Sequence, residues 1–320
     1  ERMLKGVSGE IVTGIPAKNG RLRHMAKIFI TGVSGFFGRN LASYLRRKGH
    51  EVAGGSRTAN KELGIDAFDL GSVDGMYQVL ALHQPEIIIH TAALSSVTEG
   101  CTLDYYQVNT LGTENLLNAV DRLQKRIRFI YISTAGVYGS QATEILHEDL
   151  VPNPVSHYGI SKYAAERLVR AEFSKRHDVM VIRPFNIIGV GQKSGFIFPK
   201  IVHHFKNRMD VIRLGNLEPR RDYLDVESCC NYTYQLMSNP KAYGAVVNMC
   251  SSHGTSVRQL VDTMVKITKH PINIEVAPEF VRANEVWSLL GSDVLLKKLC
   301  GEPVAFKPIE SVLEAMIDAE

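Results

Sequence analysis

The feature that most constrains this fold is the apolar run Lys27-Ile-Phe-Ile-Thr31, followed at once by Gly32-Val-Ser-Gly35-Phe36-Phe37-Gly38 and then by Arg39-Asn-Leu-Ala-Ser-Tyr-Leu-Arg-Arg47. The first run has the length of a strand. The last has helical spacing, with Leu41, Tyr44 and Leu45 on one side. Glycine lets the backbone turn tightly and come close to a ligand, and a helix start offers free N–H groups and the positive end of its dipole. The Gly-x-x-Gly-x-x-Gly spacing between strand and helix therefore suits a pyrophosphate, although a turn of this kind can also be merely tight. Strands and helices alternate to about residue 183, which predicts a doubly wound parallel sheet with helices on both faces.

Tyr158 and Lys162, in Pro154-Val-Ser-His-Tyr-Gly-Ile-Ser-Lys162, stand one turn apart on one face of a helix. A free tyrosine has a pKa of about 10, and a nearby ammonium lowers it. The pair could pass a proton to or from a carbinol, although Tyr-x-x-x-Lys also arises by chance on solvated helices. Tyr131-Ile-Ser-Thr134 ends an apolar run that reads as a parallel core strand. Open parallel sheets bind ligands at the carboxyl ends of their strands, where Thr134 belongs. Its hydroxyl could serve a substrate oxygen or simply cap the strand. Asn109 opens an amphipathic helix carrying Leu116, Leu117 and Val120, within reach of the same sheet edge.

Together these motifs resemble the extended, sugar-nucleotide-modifying branch of the short-chain dehydrogenase/reductase superfamily, the NAD-dependent epimerase/dehydratase family, over residues 26–318. The resemblance implies a Rossmann-like α/β fold with a smaller α/β substrate-binding lobe. It implies Thr134, Tyr158 and Lys162 as a catalytic triad, with Tyr158 as proton donor or acceptor. Lys162 would hold the ribose hydroxyls, Thr134 would orient the sugar C4 oxygen, and Asn109 would support Lys162 through water. Gly32, Gly35, Phe36, Phe37 and Gly38 would cradle the dinucleotide, Asp69 and Leu70 would hold the adenine, and Ala92, Ala93 and Leu94 would pass the nicotinamide ribose. Arg183-Pro184-Phe-Asn186 through Gln192 resembles the segment where such enzymes meet the nicotinamide and the sugar diphosphate. Asn186, Gln192 and Lys200 would join Arg221, Arg282 and Glu285 around the sugar nucleotide, an arginine meeting phosphate and Glu285 a ribose hydroxyl. Without the family, Arg221, Arg282 and Glu285 read as solvated surface charges.

Leu214-Gly-Asn-Leu-Glu-Pro-Arg-Arg221-Asp222 and Arg282-Ala-Asn-Glu285 resemble the subset that handles GDP-mannose derivatives. Dehydration needs a base and an acid for C5 and C6, and relatives that dehydrate carry Asp-Glu or Glu just after the catalytic hydroxyl. Here Ala135 and Gly136 follow Thr134, so a dehydratase is disfavoured. Hydride transfer at C4 remains. The expected reaction is reduction of a nucleotide-linked 4-keto-6-deoxyhexose, GDP-4-keto-6-deoxy-D-mannose first, to the rhamnose or talose configuration. A sugar-nucleotide 4-epimerase and a non-catalytic dinucleotide-binding sensor are the alternatives. After the strand beginning Glu51-Val-Ala, the chain reads Gly54-Gly55-Ser56-Arg57 with no carboxylate for a ribose 2′-hydroxyl. Arginine suits a 2′-phosphate, so NADP(H) is expected, with NAD(H) the alternative.

The 320 residues suggest two domains. Residues 26–185, with 223–237 returning, would form the dinucleotide-binding part, and 186–222 with 238–320 the sugar-nucleotide lobe. Of 37 Lys/Arg and 33 Asp/Glu, residues 1–25 hold five and two, which leaves 32 and 31 for the near-neutral rest. That balance argues against a nucleic-acid surface. Residues 1–25 read as a flexible extension or as sequence appended before Met25, and they lack the long apolar run of a secretory signal. Five scattered cysteines fit reduced thiols in a cytoplasm, no metal-ligand spacing is visible, and no stretch is apolar enough for a bilayer. In relatives, helices corresponding to Asn109–Leu123 and Ala164–Phe173 pair into a dimer, so the resemblance implies a homodimer, although those faces could also pack inside one chain.

Overall fold

The computed structural model describes residues 25–95, 101–281, 285–301 and 306–319. Its strands in chain order are β1 Lys27–Thr31, β2 Glu51–Ser56, β3 Ile65–Ala67, β4 Ile87–His90, β5 Arg128–Ile132, β6 Ile145–Leu146, β7 Asp178–Pro184, β8 Asn186–Ile188, β9 Val211–Leu214, β10 Arg220–Asp225, β11 Val246–Met249, β12 Gly254–Ser256, β13 Asn273–Val276 and β14 Ser288–Gly291. The helices that shape the site are α1 Phe36–Arg47, α2 Val73–His83, α3 Thr102–Tyr105, α4 Gly112–Asp121 and α5 His157–Arg170.

Seven strands make one parallel sheet in the order β3–β2–β1–β4–β5–β7–β11. Alternation along each strand decides what lies on each face. Ile28, Ile30, Ile87, Ile89, Ile130 and Ile132 point to a core shared with Leu41 and Leu45 of α1 and with Cys229, Tyr232 and Leu236 of the helix Val226–Ser238. Phe29, Ile88, Phe129, Tyr131, Val179 and Val181 point the other way, to Met76 and Leu80 of α2, Leu116 and Val120 of α4, and Ala165 and Val169 of α5. Burying one such side chain is worth about 1.5–3 kcal/mol. A one-residue slip would exchange the two sets, so the register is strongly held. This is the expected doubly wound sheet, and its order reverses between β1 and β4.

The second part has its own sheet, β12–β10–β14–β6 with β8 on β10, and a β9–β13 pair. Its core gathers Phe198, Ile201, Phe205, Ile212, Leu260, Met264 and Leu313. The segment boundaries differ from those expected. β11 lies in the stretch assigned to the lobe but pairs with β7 along Val181–Pro184, covering an edge whose N–H and C=O groups would otherwise be open. Tyr223 to Asp225 were expected to return to the large sheet; they belong to β10 and pair with β8, and only the helix after them returns. β6, from the dinucleotide half of the sequence, joins the lobe sheet beside β14.

One helix also departs from expectation. Residues 106–111, around Asn109, are π-helical, and regular α4 begins only at Gly112. Single π turns inside helices recur at functional sites. Here the wide turn carries the buried Asn109 toward the end of β4.

Candidate active site

The strand order reverses where the loops after β1 and β4 separate, and this crevice is where a doubly wound sheet binds its ligand. Gly32 has φ +68°, and a Cβ there would lie 2.7 Å from the Ala92 Cα. The two loops can approach this closely only because that side chain is missing. α1 begins at Phe36 with no side-chain cap and no acidic residue in its first turn, which leaves its N–H groups available to an anion. Gly32, Gly35, Phe36, Phe37 and Gly38 thus form a cradle that fits a dinucleotide pyrophosphate. Arg39 just beyond donates to the Gly191 carbonyl and ties this loop to the one after β8.

A chain of hydrogen bonds fixes the crevice floor. The Ala92 N–H donates to Thr31 Oγ1 at 3.2 Å, and the Thr31 hydroxyl meets His90 Nδ1 at 2.6 Å. His90 Nε2 meets Thr113 Oγ1 at 3.0 Å, and the Thr113 hydroxyl donates to the Asn109 carbonyl at 2.7 Å. With the Thr113 proton committed, the imidazole donates from Nε2, and in its neutral form it accepts at Nδ1. Burial, together with the Lys162 charge, pushes the His90 pKa down to about 3. Asn109 then clamps Leu94: its Oδ1 accepts from the Leu94 N–H at 2.8 Å, and its Nδ2 donates to the Leu94 carbonyl at 3.1 Å and to Ser161 Oγ at 3.0 Å. Ser161 passes its own proton to the Tyr158 carbonyl. The direct contacts of the amide thus hold the Ala92–Leu94 loop and the start of α5.

α5 starts cleanly because Ser156 caps it, accepting from the Gly159 N–H at 3.1 Å. A Cβ on Gly159 would come within 2.6 Å of the Gly136 carbonyl, so glycine lets α5 press against the turn after β5. That contact brings Tyr158 to Thr134, whose hydroxyl also accepts from the Gly136 N–H at 3.0 Å. The expected lowering of the Tyr158 pKa by Lys162 is not what this geometry produces. Burial pushes the phenol up, the hydrogen bond with Thr134 partly offsets that, and Tyr105 packs edge-on at 6.3 Å. Lys162, 2% exposed, instead donates to the Ile132 carbonyl at 2.7 Å with its Nζ 4.3 Å from the Tyr131 ring centroid. Burial pulls its pKa down to about 7, against the opposing pull of Glu166.

The other expected residues divide into three groups. Arg57 is the first residue past β2 and is exposed, while Asp69, whose carboxylate accepts from the Gly71 N–H, and Leu70, whose carbonyl accepts from Asn115 at 2.9 Å, follow β3. These, with Ala92, Ala93 and Leu94, rim the carboxyl edge of the sheet. Pro184 ends β7, and Asn186 of β8 donates to the Asp222 carbonyl of β10 at 3.0 Å, inside the lobe sheet. Gln192 donates to the Ile187 carbonyl at 3.2 Å and so folds its own loop. In the lobe, Arg221 and Glu285 do not read as the solvated charges the bare sequence suggested: they form an ion pair at 2.8 Å, side chains 13% and 11% exposed. Lys200 lies with its Nζ 3.9 Å from the Phe280 ring centroid and donates to the Arg213 carbonyl. Arg282 lies outside the described residues.

Several polar residues of the site were not singled out from sequence. His90, Thr31 and Thr113 needed three-dimensional proximity to be found. Glu166 did have a signal, since it continues the Tyr158–Lys162 stripe by one more turn. Arg183, which opens the segment expected to meet the nicotinamide and the sugar diphosphate, is buried and paired with Glu166. The five cysteines are all free. Among the described residues no His, Cys, Asp and Glu group could hold a metal ion, and no helix is long and apolar enough to cross a membrane.

Residues 28–250 match the NAD dependent epimerase/dehydratase family. The chain is 36% identical over 292 residues to GDP-6-deoxy-D-talose 4-dehydrogenase of Aggregatibacter actinomycetemcomitans, covering 91% of this chain and 96% of that one. It is 32% identical over 289 residues to GDP-6-deoxy-D-mannose reductase of Pseudomonas aeruginosa, covering 86% and 91%. The structure of RMD from Pseudomonas aeruginosa complexed with NADPH superposes with a TM-score of 0.80 at 30% identity, over 92% of this chain and 97% of that one.

The buried neutral His90 carries a stability signature. Its folded pKa of about 3 lies below the ordinary 6.5, so between these values the unfolded chain binds the extra proton and stability falls as pH falls. One full proton corresponds to about 1.4 kcal/mol per pH unit. Urea unfolding of His90→Asn should show a shallower acid loss than the unsubstituted protein below pH 6.5. Parallel curves would show that His90 does not titrate on unfolding.

Proposed function

Because this chain belongs to the NAD-dependent epimerase/dehydratase family, as an NAD(P)-dependent oxidoreductase of the extended short-chain dehydrogenase/reductase type, we propose that it reduces the C4 ketone of GDP-4-keto-6-deoxy-D-mannose. NADPH bound on the glycine cradle supplies the hydride. Tyr158 gives its proton to the C4 oxygen as the carbonyl π bond becomes a C–O–H group. Thr134, hydrogen-bonded to Tyr158, positions that oxygen, and Lys162, one turn further along α5, is the residue we assign to the ribose hydroxyls. D-Talose is the C4 epimer of D-mannose, so the two GDP-sugar relatives bracket the two products this reaction can give. Asn186, Gln192, Lys200, Arg221, Arg282 and Glu285 are the side chains we assign to the sugar-nucleotide side.

One observation carries this reading. A buried phenol with a raised pKa, against the Thr134 hydroxyl at a strand's carboxyl end, rests in the protonated form that reduction uses. Ala135 and Gly136 beside it supply no second acid or base for dehydration. The preference for NADPH rests on the exposed Arg57 and the missing carboxylate after β2. A homodimer through α3, the π turn and α5 is supported by Leu103, Leu111 and Ile160, exposed at 70%, 51% and 39%.

Tyr158→Phe should leave NADPH binding within about threefold while turnover falls roughly 10²–10⁴-fold, the scale of general acid catalysis. Unchanged turnover would remove Tyr158 from the chemistry. Arg57→Ala should weaken NADPH by about 1.5–3 kcal/mol, the worth of a charged hydrogen bond, and leave NADH nearly unaffected. Equal losses for both dinucleotides would refute the 2′-phosphate contact. Sedimentation equilibrium should return a dimer, and a monomer at all concentrations would refute that interface.

A further inference from the structure

We infer that Glu166, held by Arg183, is a positioning residue that sets the place of Thr134 and the protonation of Lys162 through Ser133 and the Ile132 carbonyl. Glu166 is fully buried on the same stripe of α5 as Tyr158 and Lys162. Its Oε2 accepts from Arg183 Nη2 at 2.7 Å, and its Oε1 accepts from Arg183 Nε at 3.0 Å and from the Ser133 hydroxyl at 2.5 Å. Ser133 is the link between two working groups. Its chain neighbour Ile132 offers the carbonyl that receives the Lys162 ammonium, and its other neighbour is Thr134, the partner of Tyr158. The Ser133 N–H also donates to the Ile182 carbonyl at 2.7 Å, one residue before Arg183. One carboxylate therefore ties α5, the end of β5 and β7 at the point where hydride transfer is proposed.

The pair also carries the electrostatics. Lys162 faces Tyr131 on β5, His90 on β4 and Glu166 on α5, with Arg183 on β7 beyond Glu166 and Tyr158 one turn back along α5. Tyr131 and Tyr158 stay neutral, their pKa values raised by burial, and His90 is neutral. Glu166 is the anion in that set, and it acts against the burial that would strip Lys162 of its proton. The Arg183 guanidinium, 4.8 Å from the Tyr138 ring centroid, grips that carboxylate through two donors and fixes it in place.

This inference rests on the proposed hydride-transfer chemistry, so its test includes a measurement that needs no substrate. With 13Cε-labelled lysines, the Lys162 signal, identified by its loss in Lys162→Met, should titrate at lower pH in Glu166→Gln. In turnover, Glu166→Gln should lower kcat at least tenfold with KM values within about threefold, and move the alkaline limb of kcat to lower pH. Removing one member of a buried pair can unfold a protein, whereas replacing both by apolar groups often does not. Glu166→Met with Arg183→Met should therefore melt close to the unsubstituted protein while kcat stays low. Ser133→Ala should lower kcat with little change in Tm. Recovery of kcat along with stability in the double variant, or an unmoved Lys162 titration, would overturn the inference. If the unsubstituted protein reduces no keto-sugar but the Lys162 titration moves as described, the functional reading fails and the positioning pair stands.

Discussion

A lysine ammonium taken out of water is unstable unless its surroundings replace what water gave it. Lys162 is nearly inaccessible, and burial brings its pKa down to about 7 even against the raising pull of Glu166. Three features compensate: the Ile132 carbonyl at 2.7 Å, the Tyr131 ring face, and the Glu166 carboxylate one turn further along α5. Each demands a particular backbone. The carbonyl requires β5 to end where it does, the ring requires Tyr131 to face α5, and Glu166 requires an arginine on the next strand. The packing of α5 on β5 and β7 is thus also the arrangement that holds the Lys162 charge one turn along α5 from Tyr158.

The other side of the crevice is built from neutral groups. His90 holds one tautomer between two threonine hydroxyls, and that choice fixes the direction of the chain from Ala92 to Asn109. The π turn places Asn109 where its amide can bind both backbone groups of Leu94. Rigid neutral dipoles on one wall and a compensated ammonium on the other suit a reaction in which a hydride and a proton arrive from separate directions. Arg39, donating to the Gly191 carbonyl, ties the start of α1 to the loop after β8.

What could be read from the sequence was what depends on spacing along the chain. Gly32 to Gly38 and the stripe of Tyr158 and Lys162 are local patterns, and local patterns survive into the fold. The split of Ile28 and Phe29 between two cores follows from the pleat of a strand. Contacts between distant segments were not legible. β11 joins the large sheet because β7 leaves an edge open, Arg183 turns inward because Glu166 is there, and Arg221 pairs with Glu285 across 64 positions. The π turn at residues 106–111 changes helical pitch over too few residues to alter the apolar pattern. The Tyr158 pKa was misjudged in direction because helical spacing puts a lysine nearby but says nothing of where its ammonium points or how deeply the phenol is buried.

The central claim is that a hydride passes to C4 of a GDP-linked 4-keto-6-deoxyhexose. The most direct measurement uses NADPH deuterated at the transferring carbon with GDP-4-keto-6-deoxy-D-mannose, and reads the product by NMR. The account predicts one deuterium on C4, one NADPH oxidised per sugar, and a single configuration at that carbon. Interconversion of C4 epimers by a retained NAD, with no deuterium entering the sugar, would contradict it.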